Sequence, residues 1–245
     1  MKWKIKELED AIRNTHGDKY VDAIHEPLQS FTWKSEMAYF HAYEAEQILK
    51  EAVASTPGIN EGDQPSIAYG KAVVFASSPG ETGEHLRLAR FKAEAHIIAS
   101  AQALHSLTDI VCYVVYWAYR LDTMPNAPAK KRLNLHSTLR TLNVFPQYST
   151  TASLIQAVFD APEFKYLAAY VNTTKHKSLI SSTMSASFVP EKRGGMRIKS
   201  FYYTDPVGNR HHFGSKWAKD FLFQDNQKVR LKLMAVGKSL NDYFK

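Results

Sequence analysis

One cysteine, Cys112, occurs in 245 residues. A single thiol cannot close an internal disulfide or supply a thiolate metal cluster, which excludes a stapled secreted scaffold and a zinc ribbon or finger and points to the reducing cytoplasm. Long apolar runs are lacking too. The longest, Ile110 to Ala118, is about half of the ~20 residues that a membrane crossing requires. The opening MKWKIKELEDAIRN has neither the apolar core nor the small-residue cleavage site of a signal peptide. A soluble chain with no membrane partner is the expectation.

The chain also lacks G-x-G-x-x-G, G-x-x-x-x-G-K-[ST] and G-x-S-x-G, so dinucleotide sites, P-loops and the serine-hydrolase elbow have no support. It holds no Glu-x-x-His, no H-E-x-x-H and no His-x-x-x-His, the spacings that aim metal ligands from one helix face. Neither a metal nor a cofactor is expected. No internal repeat of solenoid length is visible.

Aromatic residues are plentiful, with 13 Phe, 13 Tyr and 4 Trp in a chain that is 44% hydrophobic, enough for one sizeable core or two small ones and incompatible with disorder. Thirty-one Lys and Arg against 24 Asp and Glu leave a formal charge of +7. That balance favours acidic partners such as RNA, DNA or a membrane surface, as a bias only.

The patterning is mostly helical. Residues 3–13 and 18–30 read as short helices around Gly17, followed by a stronger helix from Ser35 to Ala54 that Thr56-Pro57-Gly58 ends. Gly and Pro punctuate 57–83, a long connection with one β-capable run, Lys71 to Ala76. From Glu84 to Leu121 no breaker intervenes, so a helix about 57 Å long forms the spine; Leu86, Ala93, Ile97, Leu104, Val111 and Val115 make its apolar stripe. Met124-Pro125-Asn126-Ala127-Pro128 breaks it. Lys130 to Asn143 then reads as a basic helix, and Ser149 to Ser181 as one or two helices split near Pro162. Met196 to Thr204 and Arg210 to Phe213 read as the strands of a β-hairpin around the turn Asp205-Pro-Val-Gly-Asn209, and Lys216 to Phe244 as a helix capped by Ser215 and weakened by Gly237. The expected fold is mainly α, a helical bundle with a small C-terminal β-hairpin. Its expected organisation is an N-terminal helical segment and long connection (1–80), then a bundle (81–245) with the hairpin inserted near 186–214.

On the spine, Glu94, His105, Asp109 and Tyr116 fall within about 60° of one another, and His105 and Asp109, four apart, can meet. The later helix carries Asn172 and His176, also four apart. An imidazole beside an amide or carboxylate can be held in one tautomer, as a general acid or base near neutral pH requires. RNA cleavage further needs a cation to stabilise charge on phosphorus, and Lys175 and Lys177 flank His176. The competing reading is that these residues satisfy one another and only set the register of the bundle.

The segments AEAHIIASAQALHSLTDIV (93–111) and YLAAYVNTTKHKSLI (166–180) resemble the HEPN superfamily, helical-bundle proteins of bacterial toxin, antitoxin and phage-defence systems, many of them metal-independent RNases. The resemblance covers about residues 84–182, extends weakly to the C-terminal helix, and does not reach the first 80 residues. Active members carry Arg-x(4–6)-His, commonly Arg-Asn-x-x-x-His; Asn172 and His176 match the Asn and His, while Val171 stands at the arginine position. A literal Arg-x5-His also occurs as Arg90 to His96, but six helical steps turn those side chains about 120° apart. The resemblance implies a homodimer with juxtaposed motif faces, and an antitoxin or defence-system partner. It assigns His176 as acid/base, Asn172 as orienting either His176 or the phosphate, Lys175 and Lys177 as phosphate holders, and His105 with Asp109 as second-helix support. With valine at 171 a catalytically inactive RNA-binding relative is the alternative.

Three further features stand out. Lys130-Lys131-Arg132 with His136 and Arg140 makes a basic stretch that either tracks a phosphate backbone or is a solvated face. The hairpin region interleaves Lys192, Arg193, Arg197, Lys199, Arg210, His211 and His212 with Phe201, Tyr202 and Tyr203, and stacking rings beside cations suit single strands; the alternative role for these charges is edge-strand protection. Cys112, inside an apolar run, is expected to be inert. Two functions thus stand open: an RNA-acting protein, either a metal-independent endoribonuclease or an RNA-binding relative, and a non-catalytic interaction module whose polar residues only specify packing.

Overall fold

The computed structural model describes residues 3–125, 127–129, 133–189 and 192–245. Among these the chain forms helices α1 (Ile5–His16), α2 (Asp18–Ala54), α3 (Pro65–Ala76), α4 (Glu81–Ala118), α5 (Leu135–Leu142), α6 (Ser149–Asp160), α7 (Pro162–His176) and α8 (Asn226–Tyr243). Five short strands lie between α7 and α8: β1 (Ser182–Ser187), β2 (Arg193–Ile198), β3 (Phe201–Thr204), β4 (Arg210–Phe213) and β5 (Lys216–Trp217). The mainly α fold with a C-terminal hairpin is as the periodicity predicts. The basic run Lys130-Lys131-Arg132 lies outside the described residues; the helix after it starts at Leu135, where the Asn134 side chain accepts from the Ser137 amide and the Ser137 hydroxyl accepts from the Asn134 amide, the reciprocal capping that starts a helix cleanly.

Several local expectations are overridden. α2 runs unbroken through Pro27 even though proline removes a helix hydrogen bond and its ring crowds the preceding turn. Ile24, Leu28 and Phe31 are all buried, so one apolar stripe continues past the proline and its burial offsets the defect; each such side chain contributes about 1.5–3 kcal/mol. Lys71 to Ala76 is the second half of α3 rather than a strand: Pro65 suits a first helical position, and packing of α3 against β1 and β2 outweighs the local preference of Val73 and Val74 for strand. The expected strand 196–204 is broken after Ile198, so that β2 and β3 belong to different sheets.

The chain divides into two compact units. The first comprises Met1–Met37, Ala103–Leu167 and Asn226–Lys245. Its core holds Leu8 and Ile12 of α1, Leu104, Leu107 and Val111 of α4, Ile155 of α6 and Leu233 and Leu240 of α8, with α6 and α1 both packed on α8. The second comprises Ala38–Gln102 and Ala168–Asp225. Here Ala38, Ala42 and Ala45 of α2 and Ala89 and Ala93 of α4 are buried, and the Ser100 hydroxyl donates to the Ala38 carbonyl at 2.7 Å, so small side chains let two helices approach. Its sheet has the order β1-β2-β5, all antiparallel, while β3 and β4 pair separately. α4 is, by length and composition, able to cross a membrane, and 56% of its most apolar stretch is buried within the protein. Ser100, Gln102, His105, Ser106, Thr108 and Asp109 interrupt the helix with polar side chains, so its longest continuous apolar run is only Ile110 to Ala118.

Candidate nucleic-acid interface

The β3–β4 hairpin is set by its turn. Asp205 Oδ1 accepts from the amides of Val207 (3.0 Å) and Asn209 (2.8 Å), and Gly208 takes φ +95°, a conformation that costs glycine little. The His211 ring bonds Asp205 Oδ2 at 3.0 Å. This bond, ahead of the Asn209 and Val207 bonds, draws the Asp205 carboxyl down to about 2.

The register pairs Phe201 with Phe213, Tyr202 with His212, Tyr203 with His211 and Thr204 with Arg210. Alternation across strands therefore sorts the hairpin into two faces. Phe201 stacks on Phe213 (5.2 Å between centroids) and meets Tyr170 of α7 at 6.2 Å, which anchors one face to the unit. On the other face Tyr202 is 54% exposed, with the Arg210 guanidinium carbon 3.9 Å from its ring centroid and the His212 ring 5.0 Å away. Ring and cation so placed attract through the ring quadrupole, and the pair presents a flat surface with positive charge beside it.

The end of α7 adjoins this element. Lys177 Nζ lies 5.6 Å from the Tyr203 ring centroid, and Lys175 and His176 are exposed in the last turn. Asn172 is half-buried, and Val171 is 0% exposed, so the position where the HEPN pattern has arginine belongs to the core of this unit. Leu179 continues the apolar spacing of Leu167 and Val171, yet it is 73% exposed because α7 ends at His176 and the helical period stops with it.

The remaining sequence-derived residues are distributed otherwise. His105 and Asp109 belong to the first unit and Asn172, Lys175 and His176 to the second. His105 stacks on Phe164 at 6.1 Å with 7° between rings. Asp109 acts on Cys112, whose thiol is pushed up to about 12, chiefly by burial. Glu94 Oε1 accepts from the Ser182 amide at 2.6 Å and so holds the start of β1. Arg193 donates to both oxygens of Asp220, at 2.9 and 2.5 Å, which engages its fork inside the protein. Arg193 and Arg197 both approach the Trp217 ring, at 5.4 and 5.7 Å. Arg197 and Lys199 are exposed.

No family model matches this chain, and no curated protein or solved structure matches it.

One pair escaped the sequence reading. His41 Nδ1 and His96 Nδ1 are 3.0 Å apart, with Phe40 edge-on to both rings. Burial, then the charge of His96, hold the His41 imidazole below its usual range, against an opposing pull from Glu44. A hydrogen bond between two ring nitrogens requires one donor and one acceptor, so at least one ring is neutral. Fifty-five residues separate the partners in the chain, so no local spacing announces them. Among the described residues no group of three or more His, Cys, Asp or Glu side chains is placed to hold a metal ion.

Proposed function

We propose that this chain binds single-stranded RNA on the outer face of the β3–β4 hairpin. The observation that carries the reading is the exposed Tyr202 ring beside Arg210 and His212. A base stacked on a tyrosine is worth about 1–3 kcal/mol, and Lys177, Arg197, Lys199 and Arg210 supply charge for the backbone; the net charge of +7 agrees in sign. In this reading Arg193 keeps the strand in place through Asp220 and does not touch RNA.

The HEPN-like reading adds a reaction. His176 lies exposed between Lys175 and Lys177 at the end of α7, and Lys177 approaches Tyr203 on the hairpin face opposite Tyr202, so an RNA that continues from the outer face around the edge of the hairpin brings a phosphate toward an imidazole. His176 then acts as acid/base, Asn172 orients it, and the two lysines take the charge for which related enzymes use arginine. This extends to a metal-independent endoribonuclease of a toxin or defence system, cytoplasmic and homodimeric, with an antitoxin or other defence-system protein as partner.

The test is fluorescence anisotropy with a labelled ten-nucleotide uridine strand. Tyr202→Ala is expected to weaken binding by about 5- to 150-fold, and Arg210→Ala to lower the slope of log affinity against log salt by about 0.7. Equal affinity of wild type and Tyr202→Ala, or no binding at 50 mM salt, overturns the reading and leaves a protein-interaction module. Cleavage of the strand by wild type and its loss in a folded His176→Ala variant decides the reaction separately.

A further inference from the structure

In the first unit, α4 ends in a way that its sequence makes costly. Arg120 takes φ +52°, ψ +40°, the left-handed conformation that normally falls to glycine just past a helix end. A side chain there is disfavoured by its Cβ, and backbone strain of this kind accumulates where a residue is retained for what its side chain does.

That side chain reaches Tyr20 of α2. Arg120 Nε donates to the Tyr20 hydroxyl at 3.2 Å, and the guanidinium carbon is 5.1 Å from the ring centroid. Lys19 Nζ approaches the same ring at 5.3 Å. The His16 ring meets it edge-on at 5.8 Å; burial, then the Arg120 charge, disfavour a proton on its imidazole, against hydrogen bonds to the backbone of Thr15 and Ala118. Lys19 and Arg120 are exposed and His16 is half-buried. Among the described residues no carboxylate pairs with Lys19 or Arg120; nearby Asp18 is bound to Arg13 at 3.0 Å. The Nε bond to Tyr20 leaves the two terminal nitrogens of the guanidinium without a hydrogen bond to any described residue, and those are the pair that grips two oxygens of a phosphate at once. The Tyr20 hydroxyl, accepting from Arg120, keeps its own proton to donate.

The geometry points to a phosphate-binding site formed by Arg120, Lys19 and the Tyr20 hydroxyl. Arg120 supplies the bidentate contact, Lys19 a second positive charge, and the ring of Tyr20 holds both cations in place before the anion arrives. The site rests on residues of the first unit alone and does not depend on RNA binding by the hairpin. The phosphate belongs either to a free phosphomonoester or to the diester backbone of a nucleic acid, both of which present two or more anionic oxygens.

Calorimetric titration of the full chain in chloride buffer tests this, with inorganic phosphate, with uridine 5′-monophosphate, and with a uridine oligonucleotide that carries no terminal phosphate. Wild type is expected to bind inorganic phosphate, and Arg120→Lys, which keeps charge but loses the fork, to bind it about ten-fold or more weakly. Lys19→Ala combined with Arg120→Ala should abolish binding, with retention of the circular dichroism spectrum checked alongside. The monophosphate as tightest ligand identifies a monoester site. The oligonucleotide as tightest, still bound when Tyr202 is replaced by Ala, identifies a diester site. Absence of binding to all three probes at millimolar concentration, or undiminished binding in the double variant, overturns the proposal.

Discussion

Gly237 sits in the interior of α8 and is buried. A helix-interior glycine costs about 1 kcal/mol relative to alanine, so replacing it should stabilise the chain unless its space is taken. It is. A Cβ on Gly237 would stand 2.2 Å from Trp3 Cδ2 and 2.3 Å from Cε2, where contacts of ~3.5–4.0 Å are normal. Trp3 is 5% exposed and packs edge-on against Phe31 at 5.0 Å, so the rigid ring has to move by more than an ångström to admit a methyl group. A 2.2 Å approach to a rigid ring belongs to the upper part of the overpacking range, about 2–3 kcal/mol, and after about 1 kcal/mol of helix propensity is returned Gly237→Ala should destabilise by about 1–2 kcal/mol. With ~2.1 cal/mol/K of unfolding entropy per residue, that loss lowers the melting temperature by about 2–4 °C. Urea titration followed by helical circular dichroism should show a lower midpoint at unchanged slope. In a Trp3→Ala background the sign should reverse, because only the propensity gain is left. A higher midpoint for Gly237→Ala in the wild-type background, or the same loss with and without Trp3, refutes the reasoning.

Gly194→Ala should be at least as damaging, because its Cβ would stand 2.2 Å from the Pro65 carbonyl oxygen and 2.6 Å from the Tyr69 Cβ, which are backbone and near-backbone atoms of α3; a loss of about 1–3 kcal/mol in urea titration is expected. In the first unit Ser239 donates to the Val236 carbonyl (2.7 Å), so it accepts from Thr151 (2.8 Å), which in turn accepts from the Tyr119 hydroxyl (2.7 Å). Thr151→Val breaks this buried relay at its middle and strands the Tyr119 phenol, for a loss of about 1–3 kcal/mol, whereas a fall below 0.5 kcal/mol would show that the relay carries no weight. His16 and His41 are both held below the ordinary histidine value of 6.5, each chiefly by burial. The unfolded chain therefore binds more protons near and below pH 6.5, so their contribution to stability is complete above that value and is lost as pH falls through the folded-state values. Melting temperature should drop from pH 7 to pH 5, and His41→Gln should flatten part of that drop; a wild-type profile that rises toward pH 5 contradicts the assignment.

The helices were legible where apolar residues recur on one face over many turns. The spine, read as Glu84 to Leu121, is α4 over Glu81–Ala118, because its stripe of buried Leu86, Ala93, Ile97, Leu104, Val111 and Val115 is a property of the local 3.6-residue period. The hairpin was legible for a similar reason: Asp205, Gly208 and Asn209 build their turn from contacts within five residues. β1 went unread, since Ser182–Ser187 (STMSAS) has weak strand character and owes its conformation to pairing with β2. The candidate interface was legible as composition, with rings among cations, but which cations are available was not. Arg193 and Arg210 look alike in the sequence; one is clasped by Asp220 and the other lies open on Tyr202.

The sequence by itself determined a mainly α chain, its helix-breaking points, and a basic hairpin, because periodicity and turn chemistry act over a few residues and need no partner. Tertiary structure alone decided that α2 passes through Pro27, that 71–76 is helical, that His41 meets His96, and that Arg120 holds a strained backbone against Tyr20. Each of these depends on burial or on a contact between residues far apart in the chain, and such free energies exist only once the chain has closed on itself.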